Sequence, residues 1–190
     1  MVSLQQAACN ALGARLSSAL DPDVVVNYDW PDPEAPLPQK GITIVMAGQA
    51  DDDILQPEAV SSTPIDATSR LYRWKVLERT QPIQLDVWTT YQTLRDDLVA
   101  KLDQIFNAGW TGTPDSGLVL DLADGWEGKA TADLEGPSLT NSGVLAQVSE
   151  FRATYAGELR MCLYVDAPSP RIARTKLHQL LSGQAFDTTL

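Results

Sequence analysis

The chain has 190 residues, enough to bury a sizeable core in one domain and short for two. Apolar residues make up 44% and charged residues 21%, and 14 Lys and Arg against 25 Asp and Glu leave a formal charge of −11. That balance disfavours general binding to phosphate backbones, which needs clustered cations, and no run approaches the roughly 18 apolar residues of a membrane span. The opening MVSLQQAACNALGARL has neither a basic start nor a solid apolar block, so no secretory signal is expected. Cys9 and Cys162 lack metal-type spacing and read as free thiols in a reducing compartment.

Leu4, Ala8, Ala11, Leu12, Leu16, Ala19 and Leu20 recur at spacings of three and four, which predicts an amphipathic helix from about Ser3 to Leu20. Gly13 weakens it by up to about 1 kcal/mol relative to Ala. VVVNYDW (Val24–Trp30) reads as a strand, PDPEAPLPQKG as an extended proline-rich connection, and ITIVMA (Ile42–Ala47) as a buried strand. Residues 48–69 carry DDD at Asp51, Asp52 and Asp53, little apolar content and no periodicity. An exposed, mobile loop is expected there.

RLYRWKVLERT and IQLDVW both alternate, and Pro82 between them makes them either one bent strand or a hairpin. Ile83, Leu85 and Val87 face a core, while Gln84, Asp86 and Trp88 face the other way. Thr89 or Thr90 then caps a helix whose apolar stripe is Tyr91, Leu94, Leu98, Leu102, Ile105 and Phe106. Arg95, Asp96, Asp97, Lys101 and Asp103 fall mostly on its outer face, with Asp97 and Lys101 paired four apart. NAGWTGTPDSG is a turn-rich connection, LVLDL a strand, and residues 123–143 a second long polar loop. VLAQVSEFRATYAG and ELRMCLYVDA read as two antiparallel strands turning near Ala156–Gly157. A short helix is expected over Arg171–Leu181, with Ile172, Lys176 and Leu180 in register, and a tail over 182–190.

The order helix, strands, helix, strands, short helix predicts one α+β domain over 1–190. The expected architecture is a mixed, mainly antiparallel sheet with two main helices packed on one face, plus long polar loops. No nucleotide fingerprint fits: Gly128–Lys129 is followed by Ala130 and preceded by Ala at 123, not Gly. His178 is the one histidine and reads as a surface residue, and no G-x-S-x-G is present. Asp51–Asp53 and Asp121 supply carboxylates without chelating spacing, so no catalytic, cofactor or metal site is expected. Trp88 needs cover, either from a helix or loop of its own chain or from a subunit interface.

The helix LQQAACNALGARLSSAL, the strand VVVNYDW and above all RTQPIQLDVWTTYQTLRDDLVAKLDQIF resemble the tail-terminator family, the ring proteins that close a phage tail at its head-proximal end. The likeness covers roughly residues 1–106, with the strands at 145–165 completing the same sheet. It departs from compact members in its two polar excursions and C-terminal extension. The resemblance implies a virion structural protein, not an enzyme: a homo-oligomeric, hexameric ring in the tail or neck, assembled in the host cytoplasm. Its implied partners are tail-tube, neck or connector and sheath proteins, with DNA passing through the channel without specific binding. The alternatives are another tail or neck adaptor (tail-completion, sheath-associated or baseplate) and an α+β enzyme with an unrecognised carboxylate site. On the ring reading, Gln84, Asp86 and Trp88 lack partners within the chain. Together with Asp51, Asp52 and Asp53, they are where a neighbouring subunit or tail protein sits.

Overall fold

A computed structural model describes residues 3–28, 39–53, 56–66, 69–107, 117–122, 126–145 and 148–182. Most of the proline-rich connection with Trp30, the turn-rich segment after the central helix with Trp110, and the tail from 183 lie outside the described residues.

Helix α1 spans Leu4–Ala19; the Ser3 hydroxyl accepts the Gln6 amide at 3.1 Å and caps it. Strands β1 (Val25–Asn27), β2 (Lys40–Met46), β3 (Asp51–Asp53), β4 (Glu58–Pro64) and β5 (Arg70–Thr89) precede helix α2 (Gln92–Asn107). Strands β6 (Leu118–Leu120), β7 (Glu127–Leu145) and β8 (Val148–Ala167) follow, and helix α3 (Pro170–Ser182) ends the described chain. The strands form one mixed sheet in the order β1-β2-β5-β8-β7-β6, with β3 and β4 also on β5. Among the described residues only the β1–β2 pairing is parallel. The α+β class expected from the sequence is the observed one.

Strand β5 is the axis of this sheet. Its 20 residues run unbroken through Pro82, a length of roughly 65 Å at about 3.3 Å per residue. On one side it pairs with β8 from Tyr72–Ala167 to Thr89–Phe151. On the other side β4, β3 and β2 take turns. Pro82 sits where β3 has ended at Thr80 and β2 begins at Ile83. Its carbonyl accepts from the Ala47 amide at 2.9 Å, and the Gln81 side-chain amide donates to the Ala47 carbonyl at 3.1 Å, supplying the donor that proline lacks.

The residue period of two places Ile83, Leu85 and Val87 of β5 on one face, level with Ala153, Tyr155, Leu159 and Met161 of β8. Leu12 and Leu16 of α1 and Leu98 and Leu102 of α2 cover them in one core. Tyr155 anchors α2, donating to Asp103 at 2.9 Å and meeting Phe106 edge-on at 5.7 Å. Leu163, Val165 and Ala167 continue the same face of β8 into a second cluster with Ala173 and Leu177 of α3.

Several expectations are corrected. The segment 48–69 contains β3 and β4 instead of a free loop, and most of 123–143 is β7. Strands β3 and β4 are polar and exposed, β7 puts only small residues such as Ala130 and Ala132 into the core, and backbone pairing to a long neighbour holds all three. Residues 148–167 form one strand without a turn at Ala156–Gly157. Gly157 is needed there because a Cβ would drive into the Asp133 carbonyl of β7. Gly13 has a similar cause: the Tyr28 hydroxyl occupies the space a Cβ would fill. Tyr91 is 61% exposed and Arg95 is buried, reversing their expected faces on α2. Lys101 pairs with Asp21 beyond the end of α1 rather than along its own helix with Asp97.

Gly157→Ala is expected to destabilise the chain by at least about 2 kcal/mol, because the clash is with backbone and cannot be relieved by a rotamer change. Urea titration measures it; Ala156→Gly, one residue away on the exposed face, serves as the control.

Candidate functional site

The residues singled out in the sequence lie in two places. Gln84, Asp86 and Trp88 sit on the β5 face opposite the helices, as their alternation requires. The expectation that they lack partners within the chain is corrected. Trp88 is 2% exposed: its ring lies across Gly41, its register partner on β2, and its indole N–H donates to the buried Thr43 hydroxyl at 3.1 Å. Only glycine at position 41 leaves room for the ring.

Asp86 is fully buried and accepts on both oxygens. The Thr154 hydroxyl donates to it at 2.7 Å, the Gln84 amide at 2.6 Å, and the Arg152 guanidinium lies at 3.1 Å. Thr154 and Asp86 are direct register partners, so the sheet pairing itself sets this contact. A buried carboxylate costs several kcal/mol to desolvate, and this arrangement compensates it with a cation and two neutral donors. The cluster thereby fixes the mutual register of β2, β5 and β8.

The β5–α2 junction lies beside it. The Thr89 hydroxyl donates to the Tyr91 carbonyl at 2.8 Å, and that carbonyl also accepts the first helical amide, from Arg95, at 3.2 Å. The Thr90 amide donates to the Gln39 carbonyl at 3.1 Å. Neither threonine side chain accepts a helix amide as a cap would. Arg95, 2% exposed, binds Asp96 and stacks over Phe151 of β8 at 5.9 Å. Sequence pattern alone placed Arg95 outside; its aromatic partner is 56 residues away in the chain and gives no local signal.

Asp51, Asp52 and Asp53 form β3, and alternation splits them. Asp52 grips the Arg79 guanidinium with both oxygens, one contact at 2.6 Å. Arg79 also donates to Gln5 of α1 at 3.1 Å, and Gln5 donates to Gln81 at 3.3 Å, joining the edge strand to the helix layer. Asp51 and Asp53 are exposed on the opposite face. The three aspartates therefore do not converge, and among the described residues no group of three His, Cys, Asp or Glu could hold a metal ion.

Arg79 holds the Asp52 carboxyl below its ordinary value, first through the hydrogen bond and then through its charge. Burial pushes the Cys9 and Cys162 thiols up, away from reactive thiolate character. His178 is exposed on α3.

No family model and no curated protein matches the chain. Among solved structures the chain is similar to the sheath/tube terminator of an extracellular contractile injection system in its extended state, at 10% identity and a TM-score of 0.41. The match covers 80% of this chain and 54% of that one, so the chain spans about half the length of that structure.

Two measurements check the site. Asp86→Ala is expected to cost about 3–5 kcal/mol because it strands the Arg152 charge, and Asp86→Ala/Arg152→Met to recover much of that in chemical denaturation. A depressed carboxyl pKa contributes stability above its unfolded value that is lost as pH falls through the folded value. Because the pair is partly exposed, Asp52→Asn should remove only a few tenths of a kcal/mol at neutral pH and flatten the acid limb of the stability–pH curve below about pH 4.

Proposed function

We propose that the chain is a virion structural protein, a tail terminator that closes the head-proximal end of a phage tail as a hexameric ring and joins it to the neck. The observation that carries this reading is the place of its family-like stretch. Arg79 to Phe106 is the axis of the fold, where β5 passes into α2 with only Thr90 and Tyr91 between them. The polar residues of that stretch stiffen the scaffold: Asp86 and Trp88 lock the strands, and Arg95 locks the helix start to β8. A rigid slab of long strands with helices on one face suits a subunit that transmits load between neighbours better than one that turns over a substrate.

The acidity fits a passage for DNA. A ring at −11 per subunit offers a phosphate backbone no counterion-release binding, so the cargo slides through without being held. On this reading the partners are the tail tube below, the neck or connector above and the sheath around it, and the role is architectural rather than enzymatic. The protein is then assembled in the host cytoplasm and resides in the virion.

The test is assembly without this chain. Particles lacking it are expected to yield separate heads and tails, with tails of variable length by electron microscopy. Adding the purified chain is expected to restore joined particles. Normal joined particles in its absence overturn the proposal, and tails of uniform length that lack only a sheath or a baseplate move the chain to another station in the same machine.

A further inference from the structure

Two of the cations that hold no carboxylate of their own chain lie together on one exposed helix face. Lys40, Arg73, Lys75, Arg79, Lys101 and Arg160 each hold a carboxylate of their own chain. Arg171 and Arg174 hold none among the described residues. Both are exposed on α3, with His178 one turn further on, and Ala173 and Leu177 bury the other side of the helix. No acidic residue lies in α3 at all. In a chain with 25 acids and 14 bases, an exposed helix face with two free arginines and no acid is a local reversal of sign.

The complementary surface is on the reverse of the sheet. Asp133 and Glu135 of β7 and Glu158 and Arg160 of β8 line an open depression of about 430 Å³. They alternate out from Ala132, Ala153, Leu159 and Met161, which face the helices. Arg160 reaches Glu158 at 3.5 Å, leaving Asp133 and Glu135 uncompensated within the depression. Asp51 and Asp53 of β3 point to this same side.

We infer that the basic face of α3 docks into the acidic depression of a second copy of this chain. Surface charges are screened beyond about 8 Å at physiological ionic strength, so this local pairing governs the contact and the overall −11 does not. The two surfaces look in opposite directions from one sheet, so each copy presents one to each neighbour. That is a heterologous, head-to-tail contact, the kind that closes a ring when the rotation per copy permits. A phosphate backbone is a poorer occupant, since the few cations of α3 neutralise only about three phosphates, too few to hold DNA at physiological salt. The contact rests on the ring reading above and supplies its subunit interface.

Charge reversal tests it. The full-length chain, R171E/R174E, D133R/E135R and the combined four-fold variant are compared by analytical ultracentrifugation across salt concentrations. Unchanged circular dichroism and melting verify folding, which the exposure of all four positions favours; R171Q/R174Q serves as the milder variant. Each reversed pair is expected to weaken self-association by at least about tenfold, and the combined variant to recover it to within about threefold. A native chain that assembles while R171E/R174E assembles equally well overturns this contact and leaves the ring standing. A native chain that stays monomeric at every concentration overturns both. Binding of a short DNA duplex at physiological salt that R171E/R174E abolishes gives the stripe to a polyanion and overturns the contact.

Discussion

One strand carries the structure. Strand β5 must stay extended for 20 residues because four strands pair with it directly: β8 from Tyr72 to Thr89 on one edge, and β4, β3 and β2 in succession on the other. Proline normally ends such a run. Here Pro82 stands at the changeover between β3 and β2, the Gln81 side-chain amide serves the Ala47 carbonyl in place of the missing N–H, and the run continues. Shifting the register by one residue would turn Ile83, Leu85 and Val87 out of the core and bring Gln84 and Asp86 in. The polar contacts on the reverse face resist that shift. Asp86 finds Thr154 and Arg152, and Trp88 finds Thr43 across Gly41, only in the observed register.

The same economy governs charge. Many of the cations are spent inside the chain: Arg79 ties β3 to α1, Lys101 ties α2 to the end of α1, and Arg152 compensates the buried Asp86. Exposed pairs of this kind add little stability each. Their larger effect is to decide which charges remain for other molecules. What remains includes the acids of the depression on the reverse face of the sheet and the arginines on the outer face of α3.

Much of this was legible in the sequence, and the failures share a cause. Helix α1 and the core side of β5 follow from spacing alone, because one apolar face repeats at the period of the element. The α+β class followed from the order of those elements. Strands β3, β4 and β7 gave no such signal: β3 and β4 are exposed, β7 buries only small residues such as Ala130 and Ala132, and a long neighbour supplies the backbone pairing that makes them strands. Gly157 looked like a turn residue but answers to the close approach of Asp133, and the alternation of Trp88 placed it on the correct face without revealing Gly41 beneath it. Each miss concerns a contact between residues far apart in sequence, which local periodicity does not encode.

On the proposed function, this chain is a building block of a closed ring. Native mass spectrometry of the full-length protein at rising concentration measures that directly. A single discrete assembly at six times the 20.7 kDa chain mass, with no ladder of larger species, is expected. A monomer at all concentrations, or an open-ended series of oligomers, would contradict it.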